Sequence, residues 1–407
     1  DLGLFVEHRR NGDDRSTLKH KTFVLQLSWM IRDIQRRWSA LAPFPRLLLI
    51  SVVVGILWVA LFWPQLQNSP LHGYVRGGTA DWMVATEAIS GVDSYRDLAD
   101  LANDYFGWQG VRPDAPHPRP PSTIALLVPL ALVSGSMSIM TLALISAPAL
   151  AFFIQSVVRW LNLPAWYELL AVPIAISLPI AQGLIWGTHI PLVAAAIGGY
   201  LIYKDRNPTA RGALIGVATS LKVFPIALLL TDRRGQARAV AAAGAVILGL
   251  TAVGVLLPGV GIERALQAIF DAPGSFGGSP TDFSINRFFA TPTIGTIAIW
   301  VLGLFLIAFV SRRSGPVKGT AAALILMLLF SPFAWPEYLL LMTPALFVML
   351  GAGGVARWIS IVAGLGLALT TNGSIVFAVC SVLLVALLVL PISEMPNRTS
   401  PTPTKAM

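Results

Sequence analysis

Apolar residues recur along this chain in runs close to the length of a membrane-spanning helix. The first run covers residues 47–63, and eleven more follow, near residues 122–134, 138–158, 165–181, 188–203, 210–230, 238–257, 292–311, 318–332, 336–351, 355–370 and 373–391. A helix crosses the hydrocarbon core of a bilayer with about 20 residues. Because lipid cannot satisfy open backbone groups, long apolar runs that span a membrane fold as helices. The pattern predicts an all-α polytopic membrane protein.

The polar segments on the two sides of the first run differ in charge. Residues 1–46 carry nine Lys or Arg against five acids, whereas residues 64–121 carry four Arg against seven acids. Lys and Arg collect at cytoplasmic helix ends. We therefore expect a basic cytoplasmic arm over 1–46, part of it an interfacial helix near 24–38, and a large first outer loop over 64–121. The polar tail, 392–407, is expected to be cytoplasmic.

Two of the apolar segments are not predicted to be simple crossings. If every run crossed, the basic turn 204–211 would lie outside, against the charge bias. The segment 165–187 contains two Pro and two Gly, and we expect two half-helices that enter and leave on the outside. The segment 212–231 is expected to be re-entrant from the inside, with Lys222 at its bend. The domain 47–391 then holds about 10–12 transmembrane or re-entrant helices, about ten of them full spans.

Composition agrees with this fold class. Hydrophobic residues make up 55% of the chain, charged residues only 12%, and the mean hydropathy is +0.70. A soluble domain carries about twice that share of charge. The net charge of +9 is explained by basic residues at cytoplasmic helix ends, so no nucleic acid partner is expected. The single cysteine, Cys380, excludes a disulfide within the chain.

The predicted topology places five separated segments on the outer face. They are the acidic loop with Asp81, residues 112–121, the turn around His189, the polar loop 258–291, and residues 331–338. Several of them are richer in Trp, Arg, His and carboxylates than a connection requires. We therefore expect a functional site facing outward at the membrane boundary.

Asp81 follows Gly77, Gly78 and Thr79 at the predicted start of an amphipathic helix. It is either an acid in the first helical turn that complements the helix dipole, or a general base that accepts a proton from a hydroxyl nucleophile.

The candidate cations also have two interpretations each. His117 and Arg119 lie among prolines before the second run, where they either anchor the chain at the interface or bind a lipid phosphate. His189 is either structural or part of the site. Lys222 lies in an apolar segment, where charge suggests function, but snorkelling to the inner face explains it equally well.

The remaining candidates lie in the last two outer segments. Asp282 and Arg287 belong either to a solvated loop or to the site. Trp335 and Tyr338 suit an interfacial aromatic belt, and Glu337 between them is less ordinary there. The chain has no phosphate-binding glycine loop, no dinucleotide fingerprint and no His/Cys metal spacing. We therefore expect no cofactor, no metal and no nucleotide-sugar site.

Five stretches, in order along the chain, resemble one family. They are residues 81–97 (an Asp, a short helix, a Gly and an aromatic–acid pair), 117–129, 183–189, 211–225 and 331–338. Together they resemble the polyprenol-phosphate-sugar glycosyltransferases of actinobacteria, in glycosyltransferase family 87 of the GT-C superfamily. That family holds phosphatidylinositol-mannoside mannosyltransferases and a branching arabinofuranosyltransferase. Arg119 stands where the family usually has Tyr, Thr188–His189 replaces a polar amide pair, and Glu337–Tyr338 replaces a His pair.

The resemblance implies a GT-C-like bundle and a sugar transfer with inversion at the outer face of the bacterial plasma membrane. The donor would be a polyprenyl-phosphate sugar. Mannose is the first expectation for the sugar, and arabinofuranose is the alternative. The acceptor would be a glycolipid or an envelope polysaccharide, with membrane lipids as surroundings. It also implies roles for the candidate residues. Asp81 would be the base, the leaving phosphate would be held by Arg119, His117 and Arg287, and the acceptor or sugar would contact His189, Asp282, Trp335, Glu337 and Tyr338.

Two other function classes compete with the enzyme. A transporter or flippase of lipid-linked sugars would use discontinuous helices, which residues 165–187 and 212–231 supply, but the chain shows no convincing internal repeat. A scaffold for envelope assembly gives no reason for carboxylates and cations to collect outside. The long outer loop after the first run favours the enzyme.

Overall fold

A computed structural model describes residues 29–67, 70–71, 73–111, 117–231, 234–276, 293–331, 334–352 and 354–369, together with the single residues 26, 284 and 381. Several predictions fall outside these residues. They concern most of the basic arm, the polar tail, nearly all of the run 373–391, and the candidate site residues Asp282 and Arg287. The described part is all-α, with one isolated antiparallel bridge between Leu71 and Tyr74.

The α-helices follow one another in chain order as α1 (29–40), α2 (Pro43–Leu66), α3 (Gly77–Ser90), α4 (Leu98–Phe106), α5 (Pro121–Leu127), α6 (Ser138–Trp160), α7 (Ala171–Ala175), α8 (Leu178–Trp186), α9 (Ile190–Tyr203), α10 (Pro208–Leu221), α11 (Gln236–Val255), α12 (Ile262–Phe276), α13 (Thr293–Arg313), α14 (Pro316–Leu329), α15 (Thr343–Ala352) and α16 (Gly354–Ala368). Short 3₁₀ helices join several of them, at Val128–Leu132, Gly135–Met137, Ala165–Leu170, Phe224–Thr231 and Pro336–Met342.

Within the described residues, three elements are long and apolar enough to cross a membrane: α2, the segment Gly135–Trp160 and α11. A fourth candidate is the bent pair Ala165–Ala175 and Leu178–Trp186. These helices also expose large apolar side chains, such as Ile56 on α2 and Leu248 on α11, which suits contact with lipid. The protein is therefore a multi-pass membrane protein. Helix α1 exposes Trp29 and Ile34, as the predicted interfacial helix requires.

Helix α2 defines two ends of the bundle. Near its start, Arg46 Nε lies 3.3 Å from Glu168 Oε2, and both side chains are buried. Near its other end, the Gln65 carbonyl accepts a hydrogen bond from Arg76, directly before α3. We refer to these as the Arg46 end and the Asp81 end; the charge bias predicts that the first is cytoplasmic and the second is outside.

The segment 165–187 crosses the bundle, so the prediction that it enters and leaves on the outside is wrong. At the Arg46 end, Trp38 Nε1 donates to the Ala165 carbonyl at 3.1 Å. At the Asp81 end, Arg76 donates to the Ile185 carbonyl at 3.2 Å. The axis bends by 62° between α7 and α8. Pro179 lies in the first turn of α8, a position that proline favours, so a new helix begins directly after the break.

The run 122–134 does not cross, so its prediction as a span is also wrong. It forms the seven-residue α5 and a short 3₁₀ helix, and both of its ends lie at the Asp81 end. Pro121 packs on the Gly254 backbone, and the Val133 carbonyl accepts from Trp82 Nε1 at 2.9 Å. The first return to the Arg46 end is α6. The run 122–134 is thus one crossing fewer than predicted, and the segment 165–187 is one crossing more. The basic turn 204–211 therefore still lies at the Arg46 end of the bundle, as predicted.

The re-entrant segment predicted over 212–231 forms a hairpin that covers residues 208–231. Arg211 donates to the carbonyls of Lys204 and Arg234, which holds both legs at the Arg46 end. Tyr200 and Thr231 share a hydrogen bond of 2.8 Å at the same end. Helix α10 runs from the Arg46 end towards Asp81, and the 3₁₀ helix Phe224–Thr231 runs back to the Arg46 end. The tip of the hairpin is therefore at Lys222.

A second apolar cluster caps the bundle at the Asp81 end. It joins α3, α4, α5 and the start of the loop 258–291, with Met83, Leu101 and Ile124 fully buried. Ser94 donates from its backbone N and its Oγ to the Gly259 carbonyl, at 3.0 and 2.9 Å. This cap fixes α3, and with it Asp81, on top of the membrane helices.

Candidate active site around Asp81

Asp81 is the fifth residue of α3, so the expectation that it lies in the first helical turn is wrong. Helix α3 reaches the α8–α9 junction because Gly78 and Gly187 face each other. A Cβ on Gly78 would lie 2.9 Å from the Gly187 carbonyl oxygen, and Gly187 has a φ of +67° that favours glycine. This close approach brings Asp81 to His189.

Three side chains surround the Asp81 carboxylate, which has no exposed surface. Its Oδ1 lies 3.0 Å from His117 Nε2 and 2.8 Å from Arg119 Nε. Its Oδ2 lies 3.3 Å from Arg119 Nη2 and 3.2 Å from His189 Nδ1. Arg119 thus approaches both oxygens with its guanidinium fork, the geometry in which arginine binds carboxylates most strongly. Asp81 and Arg119 are thus paired with each other in a buried centre.

Charges set the protonation of this centre. Burial alone would raise the pKa of Asp81, but the Arg119 charge and the contacts with His117 and His189 outweigh burial and hold the pKa well below its usual value. Burial, with the nearby Arg119 charge, lowers the pKa of His117 from 6.5 to about 4. At neutral pH the centre is therefore a carboxylate–guanidinium pair with a neutral His117 imidazole. That ring donates from Nε2, and its Nδ1 has no hydrogen-bond partner among the described residues.

His189 connects Asp81 to the hairpin tip. While Nδ1 faces Asp81, Nε2 lies 3.2 Å from the Leu221 carbonyl. The hairpin tip is held from a second side, because Thr123 Oγ1 donates to the Ser220 carbonyl. The end of α10 is therefore fixed beside Asp81.

Lys222, Glu337 and Tyr338 form a second group next to this centre. The Lys222 ammonium lies 5.2 Å from the centre of the Tyr338 ring, and the Phe224 ring packs on Tyr338 at 5.3 Å. Glu337 is buried against Gly183 on α8. Lys222 interacts electrostatically with Asp81, Arg119 and Glu337. The 3₁₀ helix Pro336–Met342, which Trp335 precedes, therefore borders the same site.

Comparison with known proteins decides the family. The profile of glycosyltransferase family 87 matches residues 119–332, which is more than half of the 407-residue chain. This chain belongs to glycosyltransferase family 87. No curated protein matches the sequence. The protein is accordingly a membrane glycosyltransferase. The matched region begins at Arg119 and contains His189 and Lys222, whereas Asp81 lies before it.

The structure of this glycosyltransferase brings most of the predicted site together. Asp81, His117, Arg119 and His189 are in direct contact, and Glu337 and Tyr338 lie around the hairpin tip. Lys222 also borders this site, although the residues predicted for it do not include this lysine. The signal that could have found it was its charge within an apolar segment, which snorkelling explained equally well.

The side chains around Asp81 differ in their exposure. The side chains of His117 and Arg119 are 11% and 12% exposed, while that of His189 is 1% exposed. A cavity of about 10 Å³, lined by Gly183, Thr188 and Glu337 among others, lies below. Such a volume holds about one water molecule. Of the three side chains around Asp81, His117 and Arg119 are therefore the most accessible to a substrate.

The carboxylate and the two imidazoles are groups that also bind metal ions. Here the ring nitrogens and the guanidinium point at the carboxylate oxygens. Within the part of the chain that the structure describes, no group of three or more His, Cys, Asp or Glu is arranged to hold a metal.

Proposed function

We propose that this glycosyltransferase moves a sugar, mannose foremost, from a polyprenyl-phosphate donor to a hydroxyl of a glycolipid or envelope glycan. Asp81 is the general base, and the reaction takes place at the outer face of the bacterial plasma membrane. The observation that supports this most is a buried, ionised carboxylate joined to an arginine at one end of an apolar bundle. A base and a phosphate-binding cation are there in one place.

The reaction is a single displacement. Asp81 accepts the proton of the acceptor hydroxyl as its oxygen attacks the anomeric carbon. The bond from that carbon to the phosphate oxygen breaks, and both electrons leave with the phosphate, which remains on the lipid as polyprenyl phosphate. Attack from the opposite face inverts the anomeric centre. A general base typically contributes about 10²–10⁴-fold to the rate.

Arg119 connects donor binding to the strength of the base. Paired with Arg119, Asp81 has a depressed pKa and is a weak base. A donor phosphate competes for the same guanidinium fork, since arginine binds phosphate and carboxylate with the same geometry. When Arg119 turns to the phosphate, Asp81 loses its nearest positive charge, and its pKa rises. The base is then strongest when the donor is in place.

His117 and His189 keep the carboxylate in position during this exchange. Each touches a different Asp81 oxygen, and His189 Nε2 also lies 3.2 Å from the Leu221 carbonyl at the hairpin tip. The broken helix α7–α8 and the hairpin, which suggested a transporter, instead border and position this centre.

The test uses purified protein in detergent with a panel of donors. We expect release of polyprenyl phosphate from a polyprenyl-phosphate sugar in the presence of a glycolipid acceptor, with mannosyl and arabinofuranosyl donors compared side by side. Turnover with nucleotide sugars, and none with any polyprenyl-phosphate sugar, would contradict the proposal.

A further inference from the structure

The Lys222 ammonium differs from the other cation of the site in its partners. Arg119 is paired with Asp81. Lys222 has neither an ion pair within 4.0 Å nor a side-chain hydrogen bond among the described residues. Its ammonium lies 5.2 Å from the centre of the Tyr338 ring and interacts with the carboxylates of Glu337 and Asp81 only at longer range. Its side chain is half-buried. A lysine beside an aromatic ring, with three unused donors, is available to an anion.

The position of Lys222 is fixed by its neighbours. The preceding carbonyl, that of Leu221, faces His189, which in turn contacts Asp81. The Ser220 carbonyl is held by Thr123, close to the segment that supplies Arg119. The ammonium is thus presented from the hairpin tip to a site that already holds the base and the arginine.

The proposed reaction needs a second cation at a particular moment. The donor phosphate is a diester with one negative charge. When the bond to the sugar breaks, the phosphate becomes a monoester and gains a second charge. Arg119 suffices for the first charge. A cation that forms no close ion pair in the ground state stabilises the second charge selectively, which lowers the barrier more than it strengthens substrate binding.

We propose that Lys222 is this second cation, binding the leaving phosphate from the tip of the hairpin 208–231. The inference rests on the proposed function and assigns the lipid monophosphate as the ligand of this lysine. A purely structural role is the alternative, since a cation at the C-terminus of α10 interacts favourably with the helix dipole.

Three variants separate the two roles. Lys222→Met removes the charge, Lys222→Arg keeps it, and Lys318→Met is a matched control, because Lys318 is a half-buried lysine at the Arg46 end of the bundle. The probe is polyprenyl monophosphate, with uncharged polyprenol for comparison. Thermal unfolding of each purified variant reports any structural effect.

We expect Lys222→Met to bind polyprenyl monophosphate at least about tenfold more weakly, the effect of one charge-assisted hydrogen bond. Its binding of polyprenol should not change. The kcat should fall by a larger factor than the donor KM rises. Lys222→Arg should recover part of both losses, and Lys318→Met should match the wild type. A dipole role alone would lower thermal stability without this preference for the phosphate.

The outcomes separate this inference from the proposed function. Wild-type protein that neither binds polyprenyl monophosphate nor turns over its sugars overturns the proposed function. An active wild type with an equally active and equally binding Lys222→Met variant overturns only the role of Lys222. If Lys222→Met does not fold, Lys222→Gln replaces it, and a wild-type kcat for Lys222→Gln overturns the inference.

Discussion

At the residue scale, the main feature is that the proposed base and the proposed phosphate ligand are bonded to each other. Asp81 and Arg119 are 38 positions apart and form a two-point contact in a buried centre. The sequence indicated both residues, one at a predicted helix start and one among prolines. It could not show that they pair, because the contact depends on how the cap of α3, α4 and α5 folds over the bundle.

The buried His117 makes stability sensitive to mild acid. Its pKa is about 4 in the folded protein and 6.5 ordinarily, so between these values the unfolded chain takes up the proton first. Stability from this group is complete above pH 6.5 and is lost as the pH falls towards 4, by up to about 3 kcal/mol. The charged or titratable groups that influence it are Asp81, Arg119 and Lys222. The depressed pKa of Asp81 affects stability only below pH 3.8, the usual pKa of this side chain, and therefore outside this interval.

Thermal unfolding of the wild type and of His117→Gln, measured from pH 7 to pH 4, tests this. We expect the wild type to lose more stability over this interval than the variant. Parallel curves for the two proteins would show that His117 is not buried in its neutral form.

At the element scale, hydropathy predicts the positions of the helices along the chain well. It predicts less well which of these helices cross the bundle. An apolar run of thirteen residues and one of seventeen look alike in composition, yet 122–134 stays at the Asp81 end and 165–181 belongs to a crossing segment. The difference lies in contacts that the sequence does not display, such as that of Arg46 with Glu168 and that of Trp82 with Val133. The hairpin 208–231 could be predicted, because basic turns flank it on both sides.

Close packing of α8 on the 3₁₀ helix Pro336–Met342 gives a test at this scale. A Cβ on Gly183 would lie 2.4 Å from the Glu337 Cβ. We expect Gly183→Ala to cost about 1–3 kcal/mol, since overpacking forces neighbours to move. Turnover should fall as well, because Glu337 and Tyr338 border the site.

The control is Gly244→Ala on α11, where a Cβ meets no heavy atom within 4 Å. It should be neutral or stabilising by up to about 1 kcal/mol, since alanine favours helix more than glycine does. Differential scanning fluorimetry in detergent compares the two variants. Equal unfolding temperatures for both would show that α8 does not pack as described.

At the scale of the whole molecule, the charge bias and the fold agree on two ends. The basic turns 204–211 and 312–318 both lie at the Arg46 end, where Lys204 donates to the Pro316 carbonyl at 3.2 Å. The acidic loop and the proposed site occupy the other end. An all-α polytopic membrane fold follows from hydropathy and charge alone, whereas the identity of the sugar depends on contacts that neither pattern encodes.

Cysteine labelling tests which end faces outward. In a Cys380→Ser background, Asp100→Cys on α4 and Asp205→Cys in the basic turn are both at exposed positions. A membrane-impermeant maleimide should label position 100 in intact cells and position 205 only after permeabilisation. The reverse pattern would place the Asp81 centre in the cytoplasm.

The proposed function depends most on Asp81, and Asp81→Asn tests it most directly. Asparagine keeps the shape but removes the charge, so Arg119 loses its ionic partner and becomes free for phosphate. The measurement is turnover and polyprenyl phosphate affinity on the same folded sample. We predict a fall in turnover of at least about 10²-fold, with polyprenyl phosphate bound as tightly as by the wild type or more tightly. Near-normal turnover would contradict the role of Asp81 as base. A variant that loses both turnover and polyprenyl phosphate binding would show that the contribution of Asp81 is structural.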